Sequence, residues 1–240
     1  MTTKTYLIFG ISKGLGKFIT LNLPSPNDTV FGVSRTQPDY LSPKTNIRWI
    51  KTDLADPKIS SEIIKKTIEN APIDYLIYNV GIWEADAFST EYNFEKSSIS
   101  EITNIINTNV TSCIVNIQSV LNNLKLSKNA KVILIGSTWG LDNHKGNEVA
   151  FSASKFALRG IVHSLRESLR IYKIGVSVIN LGYLATEFDN FEDMESVIDK
   201  SQGMLIPLQD VTNSLRFIIS TSNATCVKEI DMPAMSDKNV

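Results

Sequence analysis

Thr5-Tyr-Leu-Ile-Phe9 runs directly into Gly10-Ile-Ser-Lys-Gly14-Leu-Gly16, and Lys17-Phe-Ile-Thr-Leu21 continues from there. A short apolar run, three closely spaced glycines and an amphipathic continuation read as a strand, a sharp turn and a helix. Glycines at such a turn let the backbone approach a pyrophosphate closely. The start of the helix supplies free N–H groups and partial positive charge. A phosphate-binding turn placed between the first strand and the first helix points to an open, parallel α/β sheet.

The rest of the chain carries the same alternation. Strands are predicted at Thr5–Phe9, Thr29–Ser34, Ile47–Lys51, Asp74–Asn79, Lys131–Ser137, Gly175–Leu181 and Lys228–Asp231. Most of these are continuous apolar runs, the pattern of strands buried on both faces. Between them, Ile102, Ile106, Val110, Cys113, Ile117, Val120 and Leu124 recur at steps of three and four, which predicts one long helix over Ser100–Leu124. A second long helix is predicted over Val149–Tyr172. Strands separated by helices of this length form right-handed βαβ units. The expectation is a doubly wound, Rossmann-type α/β fold of about seven parallel strands. One domain spans residues 1–240, with cofactor and substrate sites beyond the carboxyl ends of the strands.

The bulk numbers fit an ordinary soluble globular protein. The 240 residues are 42% hydrophobic and 20% charged, with 24 Lys+Arg against 25 Asp+Glu, a formal charge of −1. That balance carries no electrostatic footprint for nucleic acid or an anionic membrane surface. No apolar run reaches membrane-spanning length. Cys113 and Cys226 read as two buried thiols in a reducing compartment. The expectation is a soluble, cytoplasmic protein. His144 and His163 are not spaced for a metal, and no Cys/His/Asp cluster suggests one.

The turn's spacing, G-x-x-x-G-x-G, differs from the commoner G-x-G-x-x-G. It resembles the short-chain dehydrogenase/reductase family, and the likeness extends through residue 186. Asp53-Leu54 is similar to that family's adenine-pocket pair, and Tyr78-Asn79-Val80-Gly81 to the element ending its fourth strand. Asn109 falls where the family has a helix asparagine that holds a proton-relay water. Ile135-Gly-Ser137-Thr-Trp-Gly140 resembles the segment bearing a substrate-orienting serine. Leu181-Gly182 followed by Thr186 resembles the stretch bordering the nicotinamide.

The cofactor can be read from the residues themselves. An NAD-preferring site ends its second strand with a carboxylate on the ribose 2′-hydroxyl. Here the strand ends Phe31-Gly-Val-Ser34-Arg35, without an acid. Arg35 and Lys13 can pair with a 2′-phosphate from two sides, which predicts NADP(H). The resemblance assigns Gly10, Ser12, Lys13, Gly14, Leu15 and Gly16 to the pyrophosphate turn and Ser34 and Arg35 to the 2′-phosphate end. Asp53 and Leu54 flank the adenine, Asn79 and Gly81 shape the bed, Lys155 anchors the ribose and Thr186 borders the carboxamide.

Leu181 stands where the family has proline, and a catalytic position departs from the family pattern as well. Where the family carries Tyr-x-x-x-Lys, this chain reads Phe151-Ser-Ala-Ser-Lys155. The resemblance implies Ser137, Lys155 and Asn109 as catalytic residues, with Phe151 in the proton donor's place. Phenylalanine has no ionisable proton. The readings are an engineered Tyr→Phe variant, a natural member that has lost redox chemistry, or another donor among Ser137, Ser152, Tyr183 and His144. The expected activity is NADP(H)-dependent interconversion of a carbonyl and a secondary alcohol. The alternatives are a redox-inactive cofactor-binding sensor or silent subunit, or non-redox chemistry in the same cleft.

Trp83, Trp139, His144 and Tyr183 are candidate substrate contacts, with the Trp83–Ser97 loop beside them. The acidic run Glu187–Glu195 falls where the family has a substrate-covering segment, and its Phe188, Phe191 and Met194 are candidate pocket residues. The resemblance further implies a homodimer or homotetramer acting on a small molecule. Ser236–Val240 is expected to fray or to pack at a subunit edge.

Overall fold

The computed structural model describes residues 3–42, 46–142, 144–188 and 194–238. Its seven strands are β1 (Thr5–Phe9), β2 (Thr29–Ser34), β3 (Ile47–Lys51), β4 (Tyr75–Tyr78), β5 (Lys131–Ile135), β6 (Gly175–Leu181) and β7 (Glu229–Met232). They form one parallel sheet in the order β3-β2-β1-β4-β5-β6-β7. The helices are α1 (Gly14–Asn22), α2 (Pro57–Ile68), α3 (Ile99–Ile106), α4 (Ser112–Ser119), α5 (Leu121–Lys125), α6 (Val149–Leu169), α7 (Met194–Ser201) and α8 (Leu208–Ser220).

The continuous apolar runs are explained by burial on both sides of the sheet. In β1, Leu7 and Phe9 join one core with Ile64 of α2, Ile117 of α4 and Leu158 of α6. Tyr6 and Ile8 join the opposite core with Phe18 and Ile19 of α1 and Leu215 of α8. β5 splits in the same way, Val132 and Leu134 to the first core and Ile133 and Ile135 to the second. Side chains alternate across a strand, so only a strand covered twice is apolar at every position.

Strand order reverses between β1 and β4. There Phe9 lies opposite Tyr78, which sets the Gly10 turn beside Asn79. Leu134 lies opposite Tyr78 and Ile135 opposite Ile179, so Ser137 and Gly182 emerge at the same end of the sheet. The topology thus gathers the sequence motifs at the carboxyl edge.

Three expectations need correction. The helix predicted over Ser100–Leu124 is broken: Asn107–Thr111 form a π-helical turn, and Val120 leaves helical geometry between α4 and α5. The extra residue of the π turn shifts the inward face by one position. Ile105 is therefore buried, while Ile102, Ile106 and Val110 are only half-buried. Second, β5 ends at Ile135 and leaves Gly136 and Ser137 in the loop, and α6 tightens into a 3₁₀ turn at Arg170–Tyr172. Third, Cys113 is buried but Cys226 is exposed.

Among the described residues no helix is long and apolar enough to cross a membrane, and no group of three His, Cys, Asp or Glu could hold a metal. The tail through Lys238 is tethered though largely exposed: Ser236 N donates to Gly203 O and Lys238 O accepts from Lys145 Nζ. Phe191 lies outside the described residues.

Candidate active site

At the β1–α1 turn, Gly10 has φ +81° and a Cβ there would lie 2.3 Å from Asn79 O. A Cβ on Gly16 would lie 1.9 Å from Gly10 O, so both positions admit only glycine. Gly14, at φ +53°, faces the side chain of Thr186. No side chain caps α1 and no acid occupies its first turn. The first helical bond runs from Lys17 N to Lys13 O at 3.2 Å, so the N–H groups of Gly14, Leu15 and Gly16 lie outside the helical ladder, where a helix start can receive an anion. Ser12 is half-buried beside them. Tyr40 OH donates to Ile11 O at 2.7 Å and braces the turn from outside.

Lys13 and Arg35 are both exposed, and neither makes an ion pair among the described residues. Ser34 is buried and committed: its Oγ donates to Thr36 O at 2.8 Å and accepts from Trp49 Nε1 at 3.0 Å. It holds the backbone before Arg35 and has no hydroxyl proton left for a ligand. Asp53 is exposed, with Oδ1 accepting from Ala55 N at 3.0 Å, and Leu54 is buried beside it. Ser112 Oγ donates to Leu54 O and ties this loop to α4. Asn79 Nδ2 donates to Gly10 O at 3.5 Å.

Lys155 is the charged centre of the cleft. Its Nζ donates to Ile135 O at 3.2 Å, and a Cβ on Gly81 would come within 3.0 Å of it. Burial away from any carboxylate pushes its pKa down to about 8, against which the distant Cys113 thiol has a small opposing effect. Phe151, one turn earlier on α6, places its ring centroid 5.5 Å from that ammonium. Asn109, in the π turn, is fully buried. Its Nδ2 donates to Ile82 O at 2.8 Å and Ser154 Oγ at 3.0 Å, and its Oδ1 accepts from Ile82 N at 2.9 Å. Its side chain is consumed in pinning the β4 loop to α6. Ser137 Oγ accepts from Trp139 N at 3.2 Å and opens the 3₁₀ turn Thr138–Gly140.

The substrate side is walled by aromatic rings. Trp83, Trp139, Phe151 and Tyr183 surround Phe88, with centroids 5.6, 5.6, 5.4 and 5.9 Å from it. His144 stacks on the back of Trp139 at 6.2 Å and meets Phe156 at 5.9 Å, so it supports the wall. Tyr183 also has a raised pKa, from burial first and then from Glu148 and Asp237. Two buried carboxylates hold the arrangement. Glu84 Oε1 accepts from Ala150 N at 2.8 Å and Phe151 N at 3.3 Å, capping α6. Glu148 accepts from Phe88 N and Trp139 Nε1, both at 2.7 Å.

A family model described as short chain dehydrogenase matches residues 4–196. The chain belongs to the short-chain dehydrogenase family. This dehydrogenase chain is 30% identical over 238 residues to a 3-oxoacyl-[acyl-carrier-protein] reductase of Buchnera aphidicola from Acyrthosiphon pisum, covering 90% of each. It is 25% identical over 232 residues to the Escherichia coli reductase of the same name, covering 92% of this chain and 91% of that one. The solved structure of ElxO with NADP bound superposes with a TM-score of 0.77 at 20% identity, covering 96% and 97% of the two chains.

In this short-chain dehydrogenase the fold brings Gly10, Gly14, Gly16, Asn79, Gly81, Lys155, Phe151, Asn109, Trp139 and Tyr183 together at the carboxyl edge of the sheet. Ser152 Oγ is buried on α6 with no hydrogen-bond partner among the described residues, and His163 is exposed. Glu84, Glu148 and Phe88 were not singled out as individual residues, although Glu84 and Phe88 belong to the Trp83–Ser97 loop expected beside the substrate. A lone glutamate in a loop carries no sequence signal, because its partners are backbone N–H groups and an indole distant in the chain.

Proposed function

We propose that the chain is an NADP(H)-dependent oxidoreductase that interconverts a carbonyl and a secondary alcohol, with Phe151 in the proton donor's place. The observation that carries this reading is Lys155, a buried cation without a carboxylate partner, set between the β4 loop and the end of β5. The uncapped N-terminus of α1 and the glycine turn fit a pyrophosphate, and unpaired Lys13 and Arg35 fit a 2′-phosphate. The names of the reductases that the chain resembles support the same carbonyl chemistry.

Bound there, the nicotinamide supplies a hydride. The chain's own residues bind and orient. Gly14, Leu15 and Gly16 offer N–H groups, Arg35 and Lys13 offer charge, and Lys155 holds the ribose hydroxyls. Ser137 Oγ orients the substrate oxygen with its hydroxyl proton, since its acceptor side is engaged by Trp139 N. Phe151 excludes water beside Lys155 but cannot move a proton. In Phe151→Tyr, a phenol returns next to a cation, which lowers its pKa and restores a general acid.

The test is nicotinamide absorbance with a panel of ketones, aldehydes and oxoacyl thioesters, on this chain and on Phe151→Tyr. Turnover is expected to rise by ~10²–10⁴ in the tyrosine form, the usual contribution of a positioned acid. A second reading rests on the packing of Phe151 against Phe88, which suits a silent cofactor-binding chain. If both forms bind NADPH and neither oxidises it, that second reading replaces the first.

A further inference from the structure

Phe88 sits in the middle of the cleft on the loop between β4 and α3. Its φ is +64°, a left-handed conformation that a bulky side chain adopts only when its surroundings hold it there. Two things hold it. Glu148, itself 4% exposed, accepts from Phe88 N. Four rings enclose the side chain, three of them edge-on: interplanar angles are 87° to Trp139, 86° to Phe151 and 86° to Tyr183. Yet Phe88 as a residue remains 37% exposed, so its place in the cluster is reached by solvent.

We propose that Phe88 occupies the seat of the substrate's own ring: the slot bounded by Phe151, Trp139, Tyr183 and Trp83 takes an aryl group of a carbonyl or alcohol substrate, which displaces Phe88. This deepens the oxidoreductase reading and rests on it. The slot is planar in its demands, because edge-to-face walls reward a flat π ring over a puckered saturated one. Glu148 presents no free carboxylate oxygen to the slot while Phe88 is seated, since its two oxygens are taken by Phe88 N and Trp139 Nε1. The strained backbone makes Phe88 the readily displaced member of the cluster. Its four neighbours lie at strand ends, on α6 or in the loop beside it, and remain as the slot's walls.

The experiment follows quenching of tryptophan fluorescence, to which Trp83 and Trp139 contribute, during titration with acetophenone and with cyclohexyl methyl ketone, with and without NADPH. It compares the parent chain with Phe88→Gly, which suits φ +64° and frees the slot. Acetophenone is expected to bind Phe88→Gly about tenfold tighter than the parent, with a gain below about threefold for the saturated ring. Equal gains for the two ketones, or none for acetophenone, would overturn the aryl slot. A second measurement needs no variant: saturating acetophenone should speed chymotryptic cleavage after Phe88 in the parent chain, and unchanged cleavage would count against displacement. Binding is read without turnover. A chain that seats the aryl ketone but stays silent as Phe151→Tyr therefore refutes the redox reading and leaves the slot standing.

Discussion

Lys155 shows how one side chain can be functional and costly together. Burial holds its pKa at about 8 in the folded chain against 10.5 unfolded, a penalty of about 3 kcal/mol on the charged form. Below about pH 8 both states carry the proton and the penalty is fully present. Between 8 and 10.5 the unfolded chain binds more protons, so stability rises with pH through that window. Lys155→Met is therefore expected to raise unfolding stability at pH 7 by up to about 3 kcal/mol, in urea titrations, with the advantage shrinking above pH 8. An unchanged difference between pH 7 and pH 10 would mean that the ammonium is better solvated than its burial implies. The same group at an ordinary surface site would cost nothing, so a buried lysine beside Phe151 makes this cleft the candidate site.

Among the elements, α6 carries most of the site and illustrates two local rules. Its first turn is capped from outside the helix, because its N-cap residue Glu148 spends its carboxylate on Phe88 and Trp139 while Glu84 receives the free N–H groups. Glu84→Ala is expected to cost about 2 kcal/mol in thermal or urea unfolding, the range for a lost cap that also leaves buried N–H groups unpaired, and Glu84→Gln less. Gly160 in the same helix has open space around an added Cβ. Gly160→Ala should stabilise by ~0.5–1 kcal/mol, seen as a rise in Tm. The opposite sign is expected at Gly16, where a Cβ would meet Gly10 O. The π turn at Asn107–Thr111 is the other lesson: one inserted residue rotates α3 relative to α4 and buries Asn109 against the β4 loop.

On the scale of the whole molecule, the doubly wound sheet brings the loops after β1 to β6 to one edge. A ligand at that edge bridges both halves of the sheet and should stabilise the chain as a unit. At ~100 times its Kd, NADPH should contribute ~2.7 kcal/mol, a shift of several degrees in Tm for a chain of this size. NADH at the same concentration should shift it less, and Arg35→Ala should bring the two cofactors together. Equal shifts for both in the parent chain would count against a 2′-phosphate site.

The local signals in the sequence determined the seven strands, the glycine turn and the lysine four residues after Phe151, because period, turn chemistry and i, i+4 spacing are properties of adjacent residues. They also named Arg35 and Lys13, since a missing carboxylate is visible at a strand end. What they could not contain was any contact between distant segments. The single long helix over Ser100–Leu124 failed because a π turn is stabilised by Asn109 reaching Ile82 and Ser154, and those partners meet only in the fold. Cys226 was misread because exposure depends on how the segment before β7 lies on the sheet. Glu84, Glu148 and Phe88 acquire meaning only once β4, β5 and α6 converge. Tertiary structure alone decided that a loop phenylalanine fills the cleft, because packing, unlike periodicity, has no signature along the chain.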